Sequence, residues 1–145
     1  MGRLDGRVAL ITGAASPRGQ GAAEARLFAA EGARVVLADV QDDVGQATAA
    51  SIGDAARYLH LDVTSDTSWH EVVETVCSAF GGIDVLVNNA GVWDAGTLED
   101  LTPDAYRRVI EINQVGVFLG MREVSSHMRA RGSGSIVNIS SNAGL

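Results

Sequence analysis

The 145-residue sequence contains no lysine: all eleven basic side chains are arginine, set against eighteen acidic residues for a net charge of −7. Chemistry that needs an ammonium side chain is therefore beyond these residues. The acidic balance repels a polyphosphate backbone and leaves nothing to gain from counterion release, which excludes nucleic acid as a natural partner. Cysteine is nearly missing too. Cys77 alone cannot close an intrachain disulfide or supply a multi-thiolate metal site, and a reducing compartment is the default for such usage. The three histidines, His60, His70 and His127, lack the spacing of zinc ligands, so no metal is expected. No apolar run approaches the ~18 residues that a membrane-spanning helix requires. Near the start, the apolar stretch 8–11 is too short for a signal peptide, and Gly6 stands where a myristoylation motif needs Ser or Thr. These absences lead to the expectation of a soluble, cytoplasmic protein with no membrane partner.

What is present is apolar. Hydrophobic residues make up 46% of the chain, enough to offset the entropy of ordering the backbone and to exclude disorder. The length fits one domain with one core, since domains run to roughly 100–200 residues. Short runs rich in Val, Ile and Leu at 8–11, 34–38, 56–61, 83–87 and 135–139 read as strands. Their continuous apolar character predicts strands covered on both faces, as in a parallel sheet. Between them, residues 21–31, 43–52, 65–80 and 103–131 read as helices. Thr64 or Ser65 predicts an N-cap for the third, Thr102 before Pro103 starts the fourth, and Gly32 and Gly81-Gly82 are stops. Alternating strand and helix give right-handed βαβ units, hence an α/β fold with a doubly wound, Rossmann-like parallel sheet. The ending at Ser140-Ser141-Asn142-Ala143-Gly144-Leu145 reads as unfinished, because an apolar fifth strand would be left as an uncovered edge.

The first strand runs into Thr12-Gly13-Ala14-Ala15-Ser16-Pro17-Arg18-Gly19-Gln20-Gly21, then an Ala-rich helix, then a strand ending at Asp39. Glycines in such a turn let the backbone approach a pyrophosphate, and a helix N-terminus offers free N–H groups and a positive dipole end. Asp39 lies 18 positions after Gly21, close to the ~20 expected of a carboxylate that binds ribose hydroxyls. Asp62-Val63 follows the third strand and Asn88-Asn89-Ala90-Gly91 the fourth. Both fall at carboxyl ends of strands, where open α/β sheets bind ligands. Taken separately, the segments after the third and fourth strands are also compatible with turn chemistry, because Asn, Asp and Gly end strands for local reasons.

Taken in order, Thr12-Gly13 with Gly19-x-Gly21, Asp39, Asp62-Val63, Asn88-Asn89-Ala90-Gly91, Asn113 and Ile139-Ser140-Ser141 resemble the N-terminal part of a classical short-chain dehydrogenase/reductase. The Val-Asn-Ile-Ser-Ser run is similar to bacterial hydroxysteroid dehydrogenases and 3-oxoacyl reductases. The resemblance implies that Gly13, Gly19 and Gly21 line the pyrophosphate, that Asp39 holds the adenosine ribose, that Asp62 and Val63 flank the adenine, and that Asn89, Ala90 and Gly91 support the cofactor. It implies catalytic roles for Asn113 and for Ser141, which would hydrogen-bond the substrate oxygen. Residues 103–131 resemble the family's subunit-contact helix, implying a homodimer or homotetramer.

Two departures stand out. Five residues separate Gly13 from Gly19 where the family has three, as though Ser16-Pro17 had been inserted, and proline offers no N–H to a phosphate. The Tyr-x-x-x-Lys pair that moves the family's proton is missing, since neither Tyr58 nor Tyr106 is followed by a lysine. Asp39 favours NAD over NADP by occupying the place of a 2′-phosphate, whereas Arg18 would suit that phosphate. The expectation is an NAD-dependent oxidoreductase acting on a small-molecule secondary alcohol or ketone. Residues 1–145 would be its dinucleotide-binding domain and by themselves inactive; the alternative is a catalytically silent dinucleotide-binding or assembly module.

Overall fold

The computed structural model describes residues 2–141, so the terminal segment 142–145 lies outside the described residues. The elements alternate as expected: β1 (Val8–Thr12), α1 (Gln20–Ala30), β2 (Arg34–Asp39), α2 (Asp42–Ile52), β3 (Ala56–His60), α3 (Asp66–Phe80), β4 (Val85–Asn88), α4 (Pro103–Ile110), α5 (Gly116–Arg131) and β5 (Ser135–Asn138). All strands pair in parallel in the order β3-β2-β1-β4-β5. The chain leaves β1 toward β2 and β3 on one side, then crosses back to β4 and β5 on the other. The connections that follow β1 and β4 therefore run to opposite sides of the sheet, the arrangement that places ligand crevices at the strands' carboxyl ends.

Successive side chains of a strand point to opposite faces, and the apolar runs consequently serve two layers. Ile11, Val35, Leu37 and Val87 pack with Ala25 of α1 and Ala49 of α2. Leu10, Val36 and Leu86 pack on the other face with Trp69, Val73 and Val76 of α3 and Val124 of α5. The single core expected from length is thus divided by the sheet. Strands β1, β2 and β4 are largely buried, but β3 and β5 are only partly covered. As the two outer strands they have a neighbour on one side only, and Val137 remains 41% exposed.

Local chemistry sets the ends. Ser65 caps α3, its Oγ accepting from Ser68 N–H at 3.2 Å, and Thr102 does the same for Ala105 N–H at 3.2 Å with Pro103 at the next position. Gly81 ends α3 in the left-handed region at φ +82°, a conformation that costs glycine little. The expected continuous helix over 103–131 is interrupted: a π turn, Glu111–Val115, separates α4 from α5. Such turns often sit at functional positions, and this one carries Asn113.

Below the sheet, at the strands' amino ends, Asp84 ties three segments together. Its Oδ2 accepts from Val8 N–H at 2.9 Å, while Oδ1 receives Arg7 at 3.2 Å and Arg131 at 3.3 Å, with only 8% of the side chain exposed. Asp84→Ala would strand a buried N–H and two guanidinium groups, so a loss of about 2–3 kcal/mol is expected. Urea denaturation checks this, and a change below about 0.5 kcal/mol, typical of exposed sites, would contradict the assigned role.

Three cross-pairs lace α3 to α5: Asp66 with Arg122, His70 with Glu123, and Glu74 with His127. The Glu123 carboxylate, 2.9 Å from His70 Nδ1, raises the imidazole's pKa above its ordinary value. A raised folded-state pKa means that this contribution is complete below the unfolded value of ~6.5 and fades as pH rises through the folded value. His70→Gln is therefore expected to flatten the decline of thermal stability between the unfolded and the folded value. Parallel pH series of melting temperatures for the two proteins would show it; identical slopes would contradict it.

Candidate functional site

The site is built where β1 and β4 end. Thr12 closes β1 with its hydroxyl accepting from Asn89 N–H at 3.0 Å and from Ala90 N–H at 2.9 Å. Asn89 answers through Nδ2, which donates to Thr12 O at 2.9 Å and Gly13 O at 3.1 Å. The two loops are thereby locked back to back. Gly13 has φ +64°, and a Cβ there would lie 2.6 Å from Ala90 Cα, so only glycine permits this approach. A Cβ at Gly21, the second residue of α1, would lie 2.7 Å from Asn89 Nδ2. Gly13, Gly21 and Asn89 thus form one close-packed junction beneath the loop.

The inserted residues fold outward. Gly19 N–H donates to Ser16 O at 2.9 Å, closing a β-turn with Pro17 at its second position, where a fixed φ is favourable. Ser16, Pro17 and Arg18 are exposed. Arg18 is not brought to the crevice wall, and Gly19 spends its N–H on the turn. The first N–H groups of α1, beginning at Gln20, still lack intrahelical acceptors, as at any helix start.

At the end of β2 the Asp39 carboxylate faces the same loop. Oδ2 accepts from Ala15 N–H at 3.1 Å, and Oδ1 accepts from Val40 N–H at 2.8 Å and Gln41 N–H at 3.2 Å. The buried Thr48 hydroxyl of α2 donates to Ala15 O at 2.6 Å, so the Ala15 peptide is held from both sides. Behind Asp39, the Tyr58 hydroxyl lies 2.5 Å from Asp39 O and 2.8 Å from Asp42 Oδ1. Burial first, and then the Asp42 carboxylate, push the Tyr58 hydroxyl well above the usual tyrosine range. It is a fixed donor.

A crevice of about 170 Å³ opens above these loops. Gly13, Asp39 and Val40 form one wall; Leu61, Asp62 and Val63 the second; Ala90, Gly91 and Val92 the third. The Gly13 loop, Asp39, Asp62-Val63 and the Asn88–Gly91 segment, all singled out from sequence, therefore converge. Asp62 also serves its own turn, Oδ1 accepting from Thr64 N–H at 2.9 Å and from the Thr64 hydroxyl at 2.7 Å. Val63 O accepts from the Trp69 indole at 3.0 Å, which makes the buried Trp69 a packing residue that also fixes the wall. Asn113 clamps the loop after β4: Val92 N–H donates to its Oδ1 at 2.9 Å, and its Nδ2 donates to Val92 O at 2.7 Å. Ser141 lies exposed beyond the end of β5, which is tied to β4 by Ile139 N–H donating to Asn88 O at 3.0 Å. Trp93, just past the β4 loop, is 82% exposed.

Thr12 and Thr48 escaped sequence reasoning as loop fasteners, as did Arg108 and Ile112, which complete the crevice from α4 and the π turn. Thr12 stands beside the glycine signal and could have been found. For the others the pairing of distant elements was needed.

The family profile of short chain dehydrogenases matches residues 7–145. The chain belongs to the short-chain dehydrogenase family. A crystal structure from Burkholderia xenovorans assigned to the short-chain dehydrogenases/reductases superimposes with a TM-score of 0.93 at 35% identity, covering 99% of this chain and 60% of that one. The 3-alpha-(or 20-beta)-hydroxysteroid dehydrogenase of Mycobacterium tuberculosis is 51% identical over 144 residues, covering 99% of this chain and 55% of the relative. The trans-4-hydroxycyclohexanecarboxylate dehydrogenase of Sinomonas cyclohexanicum is 48% identical, with 99% and 58% covered, and the galactitol 2-dehydrogenase of Agrobacterium fabrum is 49% identical, with 98% and 55% covered. This short-chain dehydrogenase therefore spans a little more than half the length of these curated relatives.

Proposed function

We propose that this short-chain dehydrogenase binds NAD in the crevice above Gly13 and forms the dinucleotide-binding part of a cytoplasmic oxidoreductase acting on a secondary alcohol or ketone. The observation that carries the reading is the geometry of the loops: Gly13 packs so closely on Ala90 that no Cβ fits between them, beside an Asp39 carboxylate held by three N–H groups. The glycine-bounded surface suits a pyrophosphate, Asp39 suits the ribose hydroxyls, and the apolar Leu61 and Val63 suit an adenine face. NAD bound there would supply the hydride acceptor. NAD is favoured over NADP because Asp39 repels a 2′-phosphate and the alternative cation, Arg18, stands on the outward turn.

Asn113 holds the Val92 peptide and with it the floor of the substrate side, and Ser141 is proposed to orient the substrate oxygen. Proton delivery to a developing alkoxide is worth roughly 10²–10⁴ in rate. No Tyr-x-x-x-Lys pair occurs in the sequence, so the donor is proposed to lie on further chain that completes the subunit. That same absence favours the second reading, a silent dinucleotide-binding or assembly module. The exposed Tyr106 and Phe118 on α4 and α5 support self-association into a homodimer or homotetramer.

Parallel fluorescence titrations with NADH and NADPH test the cofactor assignment; tighter NADPH binding would overturn it. NADH oxidation across cyclic ketones, by this chain and by a form extended with the relatives' missing portion, separates the readings. Turnover by the extended form supports the enzyme, and cofactor binding without turnover in either supports the silent module. Deleting Ser16 and Pro17 is expected to tighten NADH binding several-fold, by returning the Gly19 N–H to the cofactor. Weaker binding by the deletion variant would show that the outward turn is itself part of the site.

A further inference from the structure

A second pocket, of about 360 Å³, lies at the amino ends of β2 and β3, at the end of the sheet opposite the crevice. Arg34, the first residue of β2, and Arg57, the second of β3, both lean over the Phe80 ring that closes α3, at 5.7 and 6.0 Å from its centroid. Among the described residues five of the eleven arginines, Arg3, Arg7, Arg107, Arg122 and Arg131, reach a carboxylate. Arg34 and Arg57 do not: among the described residues neither has an ion-pair partner within 4.0 Å, although Asp54 stands on the pocket wall. Two like charges gathered on one ring repel each other unless a counter-charge lies between them. Guanidinium groups are planar forks suited to phosphate oxygens, and the aromatic face offers a platform for an apolar body. The volume is within the range of small-molecule sites.

We propose that Arg34, Arg57 and Phe80 form a binding site for a small phosphate monoester carrying an apolar or aromatic group. The two guanidiniums grip the dianion, Phe80 stacks against the organic part, and Asp54 limits affinity by repulsion. The site is independent of the dinucleotide crevice and does not rest on the proposed redox function.

Phenyl phosphate, inorganic phosphate and neutral phenyl glucoside serve as probes in calorimetric titrations of the 145-residue chain, in phosphate-free buffer of low ionic strength at mildly alkaline pH. Phenyl phosphate is expected to bind saturably at one site, inorganic phosphate more weakly, and the glucoside not at all. Arg34→Ala and Arg57→Ala should each weaken phenyl phosphate binding about tenfold, the effect of one lost charge-assisted contact. Asp54→Asn should tighten it several-fold. The arginine side chains are exposed, and circular dichroism verifies that the variants fold. Absence of saturable phenyl phosphate binding would overturn the proposal. So would binding that survives either arginine substitution unchanged, since the anion would then sit elsewhere.

Discussion

Gly13→Val is expected to lower the stability of the chain by at least about 3 kcal/mol, the largest effect of any single substitution considered. Two costs add. The native φ of +64° is one that a β-branched residue adopts only under strain, which costs of order 1–3 kcal/mol. The new Cβ would also fall 2.6 Å from Ala90 Cα and 3.0 Å from Ala90 N, backbone atoms that cannot swing aside. Relieving that overlap means parting the loops that Thr12 and Asn89 hold together, with the loss of four hydrogen bonds of 2.9–3.1 Å. Gly13→Ala should show the same defect to a lesser degree, which separates the conformational cost from the bulk of the side chain. Thermal unfolding of both variants measures it, and a valine variant within 1 kcal/mol of the parent would mean that the loops are not rigidly joined.

Asp39→Ala is expected to weaken NADH binding by about 100-fold while leaving the fold intact. Two ribose hydroxyls donating to an ionised acceptor are worth about 1.5 kcal/mol each at the low end, and each 1.4 kcal/mol is tenfold in affinity. The carboxylate also accepts from Ala15, Val40 and Gln41 N–H groups, so part of the loss will come from a loosened loop edge. Asp39→Asn separates these contributions. Its one amide oxygen keeps an acceptor for the Val40 and Gln41 N–H groups, though not also for Ala15 N–H, and the charge that repels a 2′-phosphate is gone, so its ratio of NADPH to NADH affinity should rise. If neither variant alters the preference between the coenzymes, Asp39 does not discriminate between them.

The order of elements was legible in the sequence because β-type and helical runs alternate with unambiguous stops, such as Thr102-Pro103 and Gly81. So were the segments that meet at the crevice: Gly13, Asp39, Asp62 and Ala90 each lie at or within two residues of a strand's end, and parallel strands deliver their ends to one side. The limits were physical as well. The π turn was not legible within residues 103–131, and its Asn113 side chain exchanges two hydrogen bonds with the backbone of Val92, 21 positions away. The exposure of β3 and β5 follows from sheet order, which composition does not encode. Asp84, an acidic residue beside a buried strand, gains its partners Arg7 and Arg131 only when the chain's distant segments pack together.

Direct calorimetric titration of NADH into the folded 145-residue chain tests whether the crevice above Gly13 is a dinucleotide site. The structure predicts saturable heat at one coenzyme per chain, markedly diminished in Asp39→Ala and unchanged in Arg57→Ala. A folded chain that releases no heat with NADH, or binds it equally well without the Asp39 carboxylate, would contradict the assignment.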